Sequence, residues 1–144
     1  QCDQSKIEQL INVKNNIEKE SLLFICDDGS HVPEHQLLTF NTFFPLLCEG
    51  GIYIIEDIET SYWKSSSIYG YDVNYGHKHP KSIIEIFKNI IDESINIEFL
   101  GMDKRSNKTV QHLDSIGSIT FSQNCIIVTK KTMVRKPYRF VDRT

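Results

Sequence analysis

The chain has 144 residues, 40% of them hydrophobic and 24% charged, with a formal net charge of -3. That is the size of one domain able to bury a real core, and the composition excludes bulk disorder. The acidic balance argues against a nucleic-acid binder working through a general basic surface, and no run approaches the roughly 20 apolar residues of a membrane span.

In chain order, residues 5–18 are predicted to form a helix, with Ile7, Leu10, Ile11 and Val13 near helical spacing and Ser5 as its N-cap. "SLLFIC", residues 21–26, is short and continuously apolar, the pattern of a strand buried on both faces. It ends in "DDGSH", after which Pro33 suits the first turn of a second helix reaching about Cys48. Leu37, Leu38, Phe40, Phe43, Phe44, Leu46 and Leu47 give that helix a broad apolar face, and Gly50 or Gly51 can close it as a left-handed cap. "GIYIIEDIE" is a second apolar strand, again ending in acids. Strand, helix and strand joined by short loops form a right-handed crossover, so the two strands should be parallel.

A loop of about twenty residues follows, "TSYWKSSSIYGYDVNYGHKH", and loops of that length inside a domain are usually functional or mobile. Pro80 opens a third helix with an apolar face of Ile83, Ile84, Ile86, Phe87, Ile90 and Ile91. "SIGSITFSQNCIIVTKK" reads as a hairpin turning at Gln123-Asn124, with Ile119 and Phe121 on one face. The last stretch, 131–144, is locally basic and reads as a solvated tail. Cys2, Cys26, Cys48 and Cys125 show no paired spacing. Cys26 and Cys48 read as small buried hydrophobes, and the set fits reduced thiols in a cytoplasmic protein.

Both parallel strands end in acids at their carboxyl ends, where open α/β sheets bind ligands. Asp27, Asp28 and His31 follow the first strand; Glu56, Asp57 and Glu59 follow the second. Adjoining strands would gather these carboxylates in one small volume, where they repel one another unless a cation joins them. A hard divalent ion with oxygen ligands answers that need, Mg²⁺ before Ca²⁺. His31 could then act as a general base toward a hydroxyl at that ion.

Structural alternatives stand beside this. Asp-Gly is a turn signal, Asp28 or Ser30 can cap the following helix, and Glu56-Asp57 can be an exposed strand end. His31 and His35, spaced i, i+4, admit a non-haem iron facial triad with Asp28, although the pattern is not HExxH and Pro33 lies between them. Tyr62, Trp63, Tyr69, Tyr71 and Tyr75 cluster after the second acidic end. They either pack the loop onto the domain or form a lid offering flat faces to a sugar or another organic acceptor.

Together, "DDGSH", "FFPLLCEGGIYIIED" and "ETSYW" resemble the class I S-adenosylmethionine-dependent methyltransferases, and within them the sugar O-methyltransferases of the macrocin and mycinamicin type. "CDQS" at 2–5 is similar to a "GDQ" stretch that those enzymes carry just upstream, and the C-terminal hairpin resembles the antiparallel pair closing their sheet. The resemblance spans about residues 1–130, is most specific between 26 and 63, and is looser after 64. It implies an α/β fold: the carboxyl half of a doubly wound, Rossmann-like sheet of parallel strands plus a C-terminal antiparallel hairpin. The residues 1–130 would form that unit, followed by the tail 131–144.

The resemblance also implies Mg²⁺ held by Asp28, Glu56 and Asp57, with His31 as the base that takes the acceptor's hydroxyl proton. S-adenosylmethionine is expected near Asp3, Gln4 and Asp27, and the acceptor near Glu59, Tyr62 and Trp63. That acceptor is expected to be a small molecule or glycan, with no nucleic-acid or membrane partner. The glycine-rich loop that holds the methionine part of the cofactor in such enzymes has no counterpart here, since no GxGxG occurs. The chain is therefore expected to be part of a longer protein and inactive alone, its first strand leaving an open edge that permits self-association. Two rival readings remain at this level. One is a cephalosporin-hydroxylase-like iron oxygenase using His31, His35 and Asp28; the other is a degenerate, non-enzymatic module binding a partner through the open edge.

Overall fold

The structure is a computed structural model and describes residues 3–132; Cys2 and the basic segment from 133 onward lie outside the described residues. The chain runs α1 (Ile7–Asn15), β1 (Leu22–Asp27), α2 (Pro33–Phe43) and β2 (Leu47–Glu56), then a short hairpin of β3 (Ser66–Ile68) and β4 (Tyr71–Val73). It continues through α3 (Ile83–Asn89), α4 (Ile91–Ser94) and α5 (Ile97–Leu100) to a second hairpin, β5 (Ile116–Ser122) and β6 (Cys125–Lys130). The main sheet has the order β1-β2-β6-β5. β1 and β2 are parallel, as a strand-helix-strand crossover requires, and the closing hairpin adds antiparallel. This is the expected mixed α/β sheet.

Residue alternation along the strands explains where the core lies. Tyr53 and Ile55 of β2, with Ile126 and Val128 of β6, are fully buried on the face that the helices cover. Phe40 of α2 centres this layer, with ring centroids 4.7 Å from Phe44, 5.1 Å from Tyr53 and 5.0 Å from Phe87 of α3. Leu10 brings α1 into the same cluster. Lys130, at the end of β6, is buried and donates from Nζ to the carbonyls of Leu47 (2.6 Å) and Pro45 (3.2 Å). Those bonds satisfy carbonyls at the turn between α2 and β2 and let a charged head group sit in the interior.

Several local expectations change. β1 is not buried on both faces: it is the sheet edge, and Leu23 and Phe24 are 69% and 55% exposed. α2 ends at Phe43 and passes through a 3-10 turn, Phe44–Leu46, so Cys48 and Gly50-Gly51 belong to β2 and not to a helix end. The β1–β2 pairing jumps from Leu22↔Leu47 to Phe24↔Ile52, and Gly50, at φ 74°, absorbs the extra residues. Lys6, not Ser5, is the N-cap of α1, because Asp3 engages both the Ser5 hydroxyl (2.6 Å) and its N–H (3.0 Å). Ser82, not Pro80, starts α3, its hydroxyl accepting from the Glu85 N–H. Cys26 is exposed on the uncovered sheet face, and Cys48 is half-buried. The long loop contains the β3–β4 hairpin, which its serine-rich sequence concealed.

Candidate active site

β1 delivers Asp28 one residue beyond its last residue, and β2 delivers Asp57 in the same way. The strands are parallel neighbours, so both acids arrive at one end of the sheet. His31 lies between them, its Nε2 3.2 Å from Asp28 Oδ1 and 3.2 Å from Asp57 Oδ2. Donor atoms of Asp28, His31 and Asp57 all fall within 4.8 Å of one another.

Two of these residues hold unusual backbone: His31 has φ 58° and Asp57 has φ 53°. Left-handed conformation costs a non-glycine residue free energy and persists where the surroundings enforce it. At His31 the Thr60 hydroxyl does so, donating to the His31 carbonyl at 2.6 Å. Neither Asp28 nor Ser30 caps α2, which starts at Val32-Pro33 with no side-chain cap. The capping alternative for "DDGS" therefore falls.

The other expected ligand behaves differently. Glu56 is still within β2, and its side chain points to the sheet face of Cys26, where the two interact. Burial and then Glu56 push the Cys26 thiol up. The structure thus brings together Asp28, His31 and Asp57 but not Glu56. His35 stays apart as well. Its Nδ1 shares a 2.8 Å hydrogen bond with Ser30 Oγ and its ring packs edge-on against Tyr71 at 4.6 Å, so no His31-His35-Asp28 triad is assembled.

Beside the cluster runs a cleft of about 820 Å³ along β1, with Gln4, Ile25, Asp27, Phe43 and Tyr53 among its walls. Asp27 is 5% exposed, and burial pushes its carboxyl up to about 6, against bonds from Gln4 and Tyr53 that favour the ionised form. Gln4 reaches across from the segment before α1, donating to Asp27 and to Thr39 Oγ1 (3.0 Å) and accepting from the Ser30 N–H. A side chain at Gly29 would have to displace that amide. Asp3 also lines the cleft, tied to the loop hairpin by the Tyr71 hydroxyl at 3.2 Å.

No family model matches the chain. It is similar to the 8-demethyl-8-alpha-L-rhamnosyl tetracenomycin-C 2'-O-methyltransferase of Streptomyces olivaceus, 31% identical over 109 residues, or 74% of this chain and 26% of that enzyme. The demethylmacrocin O-methyltransferase of Streptomyces fradiae is 37% identical over 68 residues, 47% of this chain and 16% of that one. Among solved structures, the MycE methyltransferase from the mycinamycin biosynthetic pathway, in complex with Mg and SAH, matches with a TM-score of 0.70 at 26% identity. That match covers 91% of this chain and 32% of the MycE chain. The homologues of this chain are sugar O-methyltransferases. It spans less than a third of the length of each of these three, at 26%, 16% and 32%.

In a sugar O-methyltransferase homologue, the cluster and the cleft take on chemical meaning. The carboxylates of Asp28 and Asp57 are oxygen donors that suit a hard divalent ion, with His31 beside them. The cleft is in the size range of small-molecule sites and is walled by apolar side chains with a few polar groups. Glu59, Tyr62 and Trp63 sit on the turn after Asp57 and do not line the cleft, while Tyr62 is exposed and stacks on His77 at 6.1 Å. Tyr69, at the tip of the β3–β4 hairpin, does line it and approaches the His31 ring at 6.1 Å. Sequence reasoning placed Tyr69 only in the aromatic cluster. A Tyr-Gly pair between short polar strands was the available signal for a hairpin tip.

Proposed function

We propose that the protein carrying this chain is an S-adenosylmethionine- and Mg²⁺-dependent O-methyltransferase acting on a sugar-like hydroxyl of a small molecule or glycan. The observation that carries the reading is the convergence of Asp28, His31 and Asp57 at the carboxyl ends of two adjacent parallel strands, next to the cleft. The relatives are named for O-methylation of sugar-bearing compounds, and MycE was solved with Mg and SAH and, in another crystal, with mycinamycin VI as well.

In this reading Asp28 and Asp57 would hold the ion, while the Glu56 side chain lies on the sheet face of Cys26. When bound, Mg²⁺ would supply positive charge that lowers the pKa of an acceptor hydroxyl beside it. His31 Nε2, when unprotonated, would accept the proton of the acceptor hydroxyl, and S-adenosylmethionine, when bound, would supply the methyl group to that oxygen. Asp28 and Asp57, 3.2 Å from that nitrogen, steady the charge the imidazole then carries. Gln4 and Asp27 shape the wall of the cleft intended for the methyl donor. Among the described residues no helix is long and apolar enough to cross a membrane. A cytoplasmic setting suits both chemistry and free thiols.

Calorimetry of the full-length protein with Mg²⁺ and with S-adenosylmethionine tests the proposal. Binding of both is expected, together with loss of Mg²⁺ binding and of methyl transfer in Asp28→Ala. Failure of the unaltered protein to bind either ligand would overturn it.

A further inference from the structure

We propose that Asn124, in the β5–β6 turn, is a positioning residue that sets Asp57 for metal binding; this rests on the proposed Mg²⁺ site. β5 and β6 pair up to Ser122↔Cys125, leaving Gln123 and Asn124 as a tight turn. Asn124 has φ 57°, a conformation that asparagine tolerates and glycine tolerates better. Turn chemistry alone would explain an asparagine here, but not where its side chain goes.

Asn124 Nδ2 donates to Asp57 Oδ1 at 2.7 Å, and Asn124 Oδ1 accepts from the Glu59 N–H at 3.0 Å. The Asn124 carbonyl accepts from the Ile58 N–H at 3.4 Å. One residue thus fastens three consecutive residues, 57–59, that follow β2. The two oxygens of Asp57 are divided by this arrangement. Oδ1 faces the amide, and Oδ2 is left 3.2 Å from His31 Nε2, within the donor cluster. Asp57 is also a residue with left-handed backbone, which needs an outside hold to persist.

The physical consequence follows from how ligands are oriented. A carboxylate that must find its rotamer on binding loses side-chain entropy at that moment, whereas one already fixed by a hydrogen bond does not. Asn124 acts on the ion only through Asp57. It engages Asp57 Oδ1, turns Oδ2 toward the cluster and ties the geometry of the site to the closing hairpin of the sheet.

Asn124→Gly suits the turn conformation, keeps the carbonyl that accepts from Ile58, and removes the side-chain bonds to Asp57 and Glu59. In the full-length protein, Mg²⁺ affinity by calorimetry is expected to fall about 10–100-fold, with the metal-free melting midpoint close to that of the parent. Equal Mg²⁺ affinity in the variant and the parent overturns the positioning role and leaves the site itself standing. A parent that binds no Mg²⁺ overturns the site and the inference with it. If Asn124→Gly does not fold, the side-chain amide resonances of Asn124 in the unaltered protein decide: a shift on adding Mg²⁺ supports the clamp, and no shift overturns it.

Discussion

At the scale of single residues, His35 shows how a motif residue can be structural. It sits one turn beyond His31, yet its ring is held by Ser30 and Tyr71, away from the cluster. Burial lowers its pKa below the ordinary value of 6.5, with Glu34 and Asp3 opposing. A histidine depressed in the folded state binds protons more readily when unfolded. Its contribution to stability is therefore complete above pH 6.5 and is lost as the pH falls through the folded value. His112 has the same sign, from burial and then from Lys14, Lys130 and Lys19, while Asp27, raised by burial, has the opposite sign. Only a comparison of variant with parent isolates His35. Urea midpoints at pH 7.5 and 5.5 should differ less in His35→Gln than in the parent; an unchanged difference would refute the assignment.

At the scale of elements, α2 carries the core on one side and the site on the other. Its inner face sets Phe40 among Phe44, Tyr53 and Phe87, all fully buried. Gln36, on the same helix and 1% exposed, donates to the Glu56 carbonyl at 2.8 Å, joining α2 to the end of β2 where the acids begin. Phe40→Ala should cost about 3–5 kcal/mol in equilibrium unfolding, a large part of a marginal domain's stability. A loss under about 1 kcal/mol would mean that the aromatic cluster collapses without a cavity. The strand-helix-strand unit was readable in the sequence because continuous apolar runs and a proline at the helix start are local signals. The end of α2 was not, since apolar residues at 44–47 suit a helix and a buried strand equally.

At the scale of the whole molecule, helices cover one face of the sheet. On the other face Phe24, Cys26 and Ile52 are exposed and Ile54 and Ile127 half-buried, and among the described residues β1 is an unpaired edge beside them. Unpaired edges with apolar neighbours associate. The 144-residue chain is expected to associate with rising concentration in light scattering, and Phe24→Lys to reduce this; equal association of both forms would show that the edge is not responsible. The sequence by itself determined the two parallel strands, the crossover helix, the closing hairpin and the acids at the strand ends. Each is written in the local pattern of apolar residues and turn formers. Only the tertiary structure decided which acids meet. Alternation within β2 sends Glu56 to the far face beside Cys26, while the left-handed turn at Asp57 brings its carboxylate to Asp28 and His31. Nor does any local signal link Asp57 to Asn124, 67 residues away, since that bond exists only once the hairpin has folded beside β2.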